Sequence, residues 1–499
     1  MKPTFSNDEI FYHVFQRSFY DSNGDQHGDF KGLTSKLDYI QDLGATSILI
    51  LPIYESSFYH NYFASDFTKI DPKYGTMEDY FELIRAIHDR GMKLYLDMEV
   101  QYITEEHLWY KESYGNPDSP FSQHVLYNDT ENLDPESIIF DLKEIHSYDG
   151  QVKKVACLDL FNPATQDEIA NEFEFWVDPY GDGSLRDGID GFRLDHMMDD
   201  LDDKGRLVGV YRKFWKVLID RVRSINSEVI FIGEQADWTS HGIKAYEEAG
   251  VDYMFAFPLK YAISNFNKGE IIWAQQKGVE GTPDGKEQII IIENHDTTRY
   301  ASSVNGDPAK LKIGAALNIL LKGAPSIYYG QELGMEGKGG FGVYGKSDGN
   351  DIPRREAFPW YAKNPGVGST LWYKDSGPWW TDSLQVDDNG VSVEEQINNP
   401  DSLLNFYKQL IRIRKKLISI QKGNIDFLDV KNDYVLAYIR SYDREHTLIV
   451  ISLSEDSQKI ILPTLEMNTH ELSYPKENIL SNNLVPYAIH IVNLINYKN

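Results

Sequence analysis

Short apolar runs alternate along most of the chain with longer stretches in which apolar residues recur every three or four positions. The short runs are typical of buried β-strands, and the periodic stretches are typical of amphipathic helices. Eight strands are predicted on this basis, at residues 10–15, 47–51, 93–100, 188–194, 229–233, 253–256, 288–293 and 326–329. Helices are predicted between them, among others at residues 33–43, 77–90, 207–225 and 309–321.

This alternation predicts an α/β fold in which a parallel sheet closes into a (β/α)8, or TIM, barrel. The helix at 77–90 fits the pattern because it ends at Gly91, a residue suited to helix C-termini. A doubly wound open sheet is the alternative, but no Gly-rich dinucleotide-binding fingerprint follows the first strand. We therefore favour the barrel.

Two segments interrupt the alternation. Residues 103–158 are rich in Pro, Asp and Tyr and too long for an ordinary loop, so they predict a small domain inserted after the third strand. A Gly-rich, aromatic segment follows the eighth strand, and alternating patterns near the C-terminus are typical of antiparallel strands. We assign residues 1–102 and 159–418 to the barrel, 103–158 to an inserted B domain and 419–499 to a C-terminal antiparallel β-sandwich domain.

Composition narrows the class of protein. The 499 residues carry 77 acidic and 49 basic side chains, a net charge of -28, which argues against nucleic acid as a partner. A hydrophobic content of 41% supports a sizeable core. The single cysteine, Cys157, allows no intrachain disulfide and fits a reducing compartment.

Membrane and export patterns are weak. No apolar run approaches the roughly 20 residues needed to span a bilayer. Residues 1–5 lack the apolar core of a signal peptide. The sequence leaves the compartment open between the cytoplasm and the periplasm or exterior.

Acidic residues stand at the ends of four predicted strands. They are Asp97 on the third, Asp195 on the fourth, Glu234 on the fifth and Asp296 after the seventh. In a TIM barrel the carboxyl ends of all strands face one opening, so these side chains are expected to lie together, with Arg193 among them. Solvated strand ends with ordinary salt bridges would explain any one carboxylate, but four at one opening indicate a functional site.

Paired carboxylates are what glycoside hydrolysis requires. One attacks the anomeric carbon or supports its positive charge, and the other protonates the departing oxygen. Hydrolysis at a metal centre is the alternative use of such a cluster. It normally requires several histidines, and only His295 lies among these strand ends.

These segments resemble the motifs of glycoside hydrolase family 13, the α-amylase family, in the family's order and over nearly the whole chain. The matching segments are residues 24–32, 51–53, 62, 66–76, 158–163 (LDLFNP), 191–195 (GFRLD), 233–234 (GE), 294–296 (NHD), 323–325 (GAP) and 328–332 (YYGQE). Each match alone is weak, but the ordered set is specific.

The resemblance implies a retaining reaction by double displacement. Asp195 would be the nucleophile that forms a covalent glycosyl-enzyme, and Glu234 would be the general acid and then the base. Asp296 would bind hydroxyls of the reacting sugar and stabilise its oxocarbenium-like state.

The resemblance also implies a set of substrate-binding residues around these three. Arg193 would keep the nucleophile ionised, and Asp97 would anchor Arg193. Tyr62 would stack on the reacting sugar, His295 would contact the same ring, and Arg355 would be a further sugar contact.

The third-strand motif departs from the family. Residues 97–102 are DMEVQY, with Gln101 and Tyr102 where the family usually has Asn and His. That His normally hydrogen-bonds the reacting sugar, so Tyr102 is expected either to make this contact through its hydroxyl or to lose it. The Asn normally ligates calcium beside the inserted domain, and Gln101 offers its carbonyl only on a longer arm. Met198 and Asp199 also replace Lys and His of many starch-liquefying members. Those residues normally help to bind the leaving-group side of the glucan, so the preference for substrate on that side is left open.

One loop has the spacing of a cation site. Oxygen ligands recur at i, i+2, i+4 and i+8 in Asp21, Asn23, Asp25 and Asp29, and the carbonyl of His27 would complete the set. This predicts a structural Ca²⁺ ion, or Mg²⁺ in its place, which the resemblance supports. The alternative is an Asp- and Asn-rich turn without an ion. No organic cofactor is predicted.

Together these patterns predict a retaining α-glycoside hydrolase that cleaves α-1,4-glucosidic bonds in starch-type glucans or maltooligosaccharides. A transglycosylase or sugar isomerase (trehalose synthase-like) on the same scaffold is the alternative, and it would differ in how water is excluded from the covalent intermediate. A non-catalytic relative is a third possibility, against which the presence of all three carboxylates argues. The expected partner is an α-glucan or oligosaccharide; the oligomeric state and the choice between internal and terminal attack are not indicated.

Overall fold

The computed structural model describes residues 8–476, 480–495 and 497. Residues 1–5, which the sequence analysis examined for a signal peptide, and the outer ends of the two terminal domain assignments lie outside this range. None of the helices in the described part of the chain combines the length and apolar character needed to cross a bilayer.

Eight parallel strands form a closed barrel, each paired with its neighbours in chain order and the last with the first. The strands are β1 (Phe11–Val14), β2 (Ser47–Ile50), β3 (Lys93–Met98), β4 (Gly191–Met197), β5 (Ile230–Gln235), β6 (Tyr253–Phe255), β7 (Glu287–Ile290) and β8 (Ala324–Tyr328). Closure is direct, since His13 of β1 pairs with Tyr328 of β8. The predicted (β/α)8 barrel is confirmed, and the open doubly wound sheet is excluded by this closure.

Helices surround the barrel. They are Phe30–Ser35, Leu37–Leu43, Met77–His88, Pro163–Val177, Lys216–Ile225, Ile243–Glu248, Phe257–Ser264, Lys268–Gly281, Tyr300–Ser303, Pro308–Leu320, Leu403–Lys416 and Ile418–Lys422, with a π-helical stretch at Tyr211–Trp215. The predicted helix at 33–43 is two helices, because the backbone leaves the helical conformation at Lys36.

The helix Met77–His88 shows why these segments fold as they do. Thr76 and Asp79 form a capping box that satisfies free N–H groups at its start. Its inward residues, among them Leu83 and Ile87, are fully buried. The helix therefore turns an apolar face to the barrel, as its sequence period predicts.

The segment after β3 forms a small antiparallel sheet. Its strands run in the order Tyr102–Thr104, Val152–Cys157 and Glu144–His146, and the short helix Leu108–Ser113 lies beside them. A second small sheet pairs Tyr54–Glu55 with Asp66–Ile70 in the loop after β2.

The chain after the barrel forms an antiparallel five-stranded sheet, so the predicted C-terminal β domain is confirmed. In sheet order its strands are Asn424–Phe427, Val435–Tyr442, Glu445–Ser452, Ile489–Leu494 and Met467–Tyr474, and Gln458–Lys459 pairs separately with Asn483–Leu484. Buried Arg440 ties this sheet to the barrel, since it donates to the carbonyl of Leu320 at 2.9 Å.

The Gly-rich segment after β8 contains little regular structure beyond the 3-10 helix Asp348–Arg354 and the short helices Pro378–Thr381 and Val393–Gln396. Its aromatic side chains pack inward, and the indole of Trp372 donates to the Ser18 hydroxyl at 2.8 Å. The segment thus lies against the carboxyl end of the barrel.

Candidate active site

The site lies at the carboxyl ends of β3, β4 and β5 and in the segment that follows β7. Strand register sets its geometry, because Asp97 on β3 and Ile232 on β5 both pair with Arg193 on β4. Side chains of adjacent strands therefore project into one opening.

A β-bulge occurs where the site is built. Leu194 pairs with Gly233 and Met197 pairs with Gln235, so that two residues of β4, Asp195 and His196, stand opposite one residue of β5. That one residue is Glu234. Bulges re-aim side chains next to active sites, and here the bulge accommodates two acidic residues on neighbouring strands.

Arg193 is the centre of the charge cluster. Its Nη1 donates to Asp97 at 2.8 and 2.9 Å and to Asp195 at 2.6 Å, and its Nη2 donates to Glu234. The guanidinium is 1% exposed. One buried cation therefore contacts three carboxylates.

The carboxylates differ in their access to solvent. Asp97 is fully buried, and the Glu234 side chain is 5% exposed, whereas Asp195 and Asp296 are exposed to 18% and 28%. Within the described part of the chain, Oε1 of Glu234 has no hydrogen-bond partner. This buried oxygen is the one carboxylate oxygen of Glu234 that Arg193 does not bind.

Burial raises the pKa of Asp97, and the nearby charge of Asp195 adds to this, while Arg193 opposes it. The charge state of Asp97 consequently depends on the guanidinium.

A second chain of polar contacts runs from Asp97 to Asp296. The Tyr62 hydroxyl donates to Asp97 at 2.7 Å, and Nε2 of His295 lies 2.7 Å from that hydroxyl and 2.8 Å from Asp296. The rings of Tyr62 and His295 are stacked with centroids 5.6 Å apart. Four residues of the predicted site are thus joined.

Arg355 completes this side of the site. It donates to Asp296 at 2.8 Å, to the Tyr59 hydroxyl at 3.0 Å and to the carbonyl of His295 at 3.1 Å. Burial raises the pKa of Asp296, but the opposing charges of His295 and Arg355 together hold that pKa below its usual range. Asp296 is therefore held as an anion while part of its side chain stays exposed.

Sequence reasoning missed two neighbours of Arg355. Tyr59 accepts one of its hydrogen bonds, and Asp351 lies 3.6 Å from it. The spacing of Asp351 and Arg355 at i and i+4 was the available indication. Nothing in the sequence indicated Tyr59, which lies 296 residues away.

The two departures in the third-strand motif are buried and bond to protein groups. The Tyr102 hydroxyl donates to Asp202 at 2.6 Å, and the Gln101 amide donates to backbone carbonyls of β4. Asp199, the other departure, forms an ion pair with Lys244 at 2.7 Å. The role of Tyr102 as a sugar contact stays a prediction.

The side chains of the candidate cation loop bond to the loop's own backbone. Asp21 accepts from the N–H groups of Asn23, Gly24 and Gln26, and Asp29 caps the helix Phe30–Ser35. Asn23 accepts from Asp25, and Asp25 accepts from His27. Among the described residues, no three His, Cys, Asp or Glu side chains converge closely enough to hold a metal ion.

Comparison with known proteins gives a consistent result. Residues 13–423 match the family model described as "Alpha amylase, catalytic domain". The chain is 29% identical over 462 residues to a protein named Alpha-amylase 3 from Dictyoglomus thermophilum, covering 91% of this chain and 86% of that one. It is also 29% identical over 461 residues to a 4-alpha-glucanotransferase from Thermotoga maritima, covering 88% and 94%. Among solved structures, an α-amylase from H. orenii superposes with a TM-score of 0.79 at 26% identity, covering 97% and 99%.

Replacing the central guanidinium should damage both stability and turnover. In Arg193→Lys a single ammonium replaces a planar fork, so some of the three carboxylates lose their partner. Breaking a buried ion pair costs about 3–5 kcal/mol, and we expect a loss of that order in the free energy of unfolding measured in urea. Arg85→Lys, at a partly exposed pair with Asp187, is the control and should stay within about 1 kcal/mol of wild type. Equal unfolding midpoints for the two variants would contradict the central role of Arg193.

The lowered pKa of Asp296 predicts a pH-dependent stability. A carboxylate whose pKa is depressed by folding stabilises the native state above its unfolded pKa of about 3.9 and loses this effect as pH falls toward the folded value. The difference in melting temperature between wild type and Asp296→Asn should therefore be largest near neutral pH and shrink below about pH 4. Thermal unfolding at a series of pH values measures it. A difference that widened in acid would show the opposite linkage.

Proposed function

The chain belongs to the α-amylase family, glycoside hydrolase family 13, and from that premise we propose that it hydrolyses α-1,4-glucosidic bonds of starch-type glucans or maltooligosaccharides with retention at the anomeric carbon. The proposal depends on one observation above all: Asp195 and Glu234 are both bound by the guanidinium of Arg193.

Sharing a guanidinium keeps the two carboxyl groups close together. Retaining glycosidases place their carboxyl groups about 5–5.5 Å apart, whereas inverting enzymes leave about 6.5–9.5 Å for a water molecule. A single planar cation favours the shorter separation. This supports nucleophilic attack by Asp195 over activation of water between the two groups.

In the first step Asp195 attacks the anomeric carbon while Glu234 gives its proton to the departing oxygen. This step requires the proton on Glu234, whose Oε1 is free of protein partners in the described structure. In the second step the Glu234 carboxylate takes a proton from water, which attacks the glycosyl-enzyme and releases Asp195.

Asp296 supports both steps from the other side of the ring. Held ionised by His295 and Arg355, it accepts hydrogen bonds from sugar hydroxyls and stabilises the positive charge that develops on the ring. Tyr62 stacks against His295 and presents an aromatic face beside the same position.

Transfer to a sugar in place of water is the second candidate function. A relative named as an amylase and one named as a glucanotransferase share the same identity with this chain, 29%. The three carboxylates serve either outcome, which depends on how well water is excluded from the glycosyl-enzyme.

The test is a time-resolved product profile on maltoheptaose, with the released anomer identified by NMR. Wild type should release short products that are initially α-anomers, and Asp195→Asn should lose at least about 10³-fold in turnover, as expected for a missing nucleophile. β-Anomeric products would contradict retention, and products longer than the substrate would favour the transferase. Near-normal turnover in Asp195→Asn would refute the nucleophile.

We also propose that the loop formed by Asp21, Asn23, Asp25, His27 and Asp29 binds a structural Ca²⁺ ion, or Mg²⁺ in its place. All its donors are oxygen atoms, as hard cations require. The hydrogen bonds within the loop do not preclude this. A carboxylate has about four lone-pair sites, and the hydrogen bonds within the loop occupy only some of those on each carboxylate.

If the ion binds, it should stabilise the fold. A ligand present at 100 times its Kd contributes about 2.7 kcal/mol, so the melting temperature should fall in EDTA and return with added CaCl2. Asp25→Asn should reduce this response. Asp129→Asn, in an exposed turn whose carboxylate also accepts backbone N–H groups, is the control and should retain it. Identical melting temperatures in EDTA and calcium would refute the ion site.

A further inference from the structure

The bulge that places the nucleophile creates a local problem for the backbone. Asp195 and His196 share a single partner residue on β5, so their carbonyls lack a regular place in the ladder. His196 also has a φ of 47°, in the left-handed region that non-glycine residues rarely adopt. A buried carbonyl without a partner is costly, and a strained backbone persists only where its surroundings hold it.

Gln101 supplies the missing partner. Its Nε2 donates to the carbonyl of Asp195 and to the carbonyl of His196, both at 3.0 Å. Gln101 itself is fully buried, and its Oε1 accepts from the N–H of Val100 at 3.2 Å. The two hydrogens of one amide thus hold both carbonyls of the bulge.

Tyr102 acts on the side chain of the same bulge residue. Its hydroxyl donates to Oδ1 of Asp202 at 2.6 Å, and Nε2 of His196 lies 3.1 Å from that same oxygen. Tyr102 is 2% exposed. Gln101 therefore fixes the backbone of His196, and Tyr102 fixes its imidazole through Asp202.

Both residues are themselves held in place. Oε1 of Glu99 accepts the backbone N–H groups of Gln101 and Tyr102. Asp202 is anchored on its other side, because Lys204 lies 3.7 Å from its Oδ2 and donates to the carbonyl and hydroxyl of Ser137 in the segment after β3. The network is continuous from that segment to the residue that follows the nucleophile.

We propose that Gln101 and Tyr102 are positioning residues that hold the bulge at His196 and thereby aim Asp195 at the anomeric carbon. In this role each residue acts through His196, and neither needs to contact the sugar. The assignment rests on the proposed function of Asp195 as nucleophile and adds the device that places it.

The test compares Gln101→Met, which keeps the length but removes the donor, with Tyr102→Phe, which removes one oxygen. The assay is the initial rate of maltoheptaose cleavage. Wild type is first compared with Asp195→Asn, so that a failure of the proposed function is detected before the positioning variants are measured. Misplacing a reacting group by about 1 Å can cost about 100-fold, so each variant should lower kcat about 10- to 100-fold and leave KM within about threefold. Because both act on His196, the double variant should lose less than the product of the single losses.

The control is Tyr246→Phe, a buried tyrosine whose hydroxyl bonds to the Glu287 carbonyl at the start of β7. It should match Tyr102→Phe in lost melting temperature but keep wild-type kcat. If Gln101→Met does not fold, Gln101→Leu, which also lacks a donor, takes its place under the same criteria.

A KM raised tenfold at unchanged kcat would overturn the proposal, since it would make these residues sugar contacts. Unchanged kcat and KM would overturn it as well. Independently of activity, a crystal structure of Gln101→Met should show His196 out of the left-handed region and the Asp195 carboxylate moved from Arg193. An unmoved carboxylate would refute positioning by Gln101.

Discussion

A single buried guanidinium determines what the rest of this structure can do. Three carboxylates at the end of a closed barrel repel one another, and burial penalises their charge, so a cation among them is needed to offset both costs. Arg193 meets this need because its planar fork donates from two nitrogen atoms at once, whereas a lysine offers a single nitrogen. The barrel, in turn, places the guanidinium where Asp97 and Glu234 reach it from neighbouring strands.

This constraint also explains the irregularity in β4. Alternation along β4 and β5 already places Asp195 and Glu234 on the side of Arg193, because each lies two residues beyond the paired residues Arg193 and Ile232. With regular pairing the two acids would stand directly opposite each other, and the extra residue at Asp195–His196 changes that register. The local backbone cost is offset by polar partners from the segment after β3, so the inserted sheet and the catalytic strand are mechanically connected.

Much of the fold follows from sequence periodicity. All eight strands were predicted within a few residues, since buried strands are short apolar runs and capped helices separate them. The end of β7 was less accurate: the predicted strand reaches 293, but pairing stops at Ile290, and Glu293 turns to bind Arg299 and the N–H of Tyr300. Apolar content alone could not show this, because Ile291 and Ile292 remain buried after the ladder ends.

The site was predictable where it depends on strand ends and not where it depends on tertiary contacts. Asp97, Asp195 and Glu234 end predicted strands, so the barrel alone brings them together. The sequence does not indicate the bulge. A bulge is an extra residue in one strand relative to its partner, so it can be recognised only when the pairing of the two strands is known. The sequence does not indicate the partner of the Tyr102 hydroxyl. Asp202 lies 100 residues further along the chain, and only the tertiary fold brings it beside Tyr102.

The contact between Arg355 and Tyr59 has a consequence for synthesis. These residues are 296 positions apart, and the pair closes one side of the site. A growing chain therefore carries the acids of β3, β4 and β5 long before Arg355 is synthesised. The charge cluster stays incomplete on that side until the last third of the chain is being made. Such late, non-local contacts slow folding and prolong the life of partly folded chains. Truncation ahead of β8 would thus yield a polypeptide that contains Asp97, Asp195, Glu234 and Asp296 but lacks Arg355.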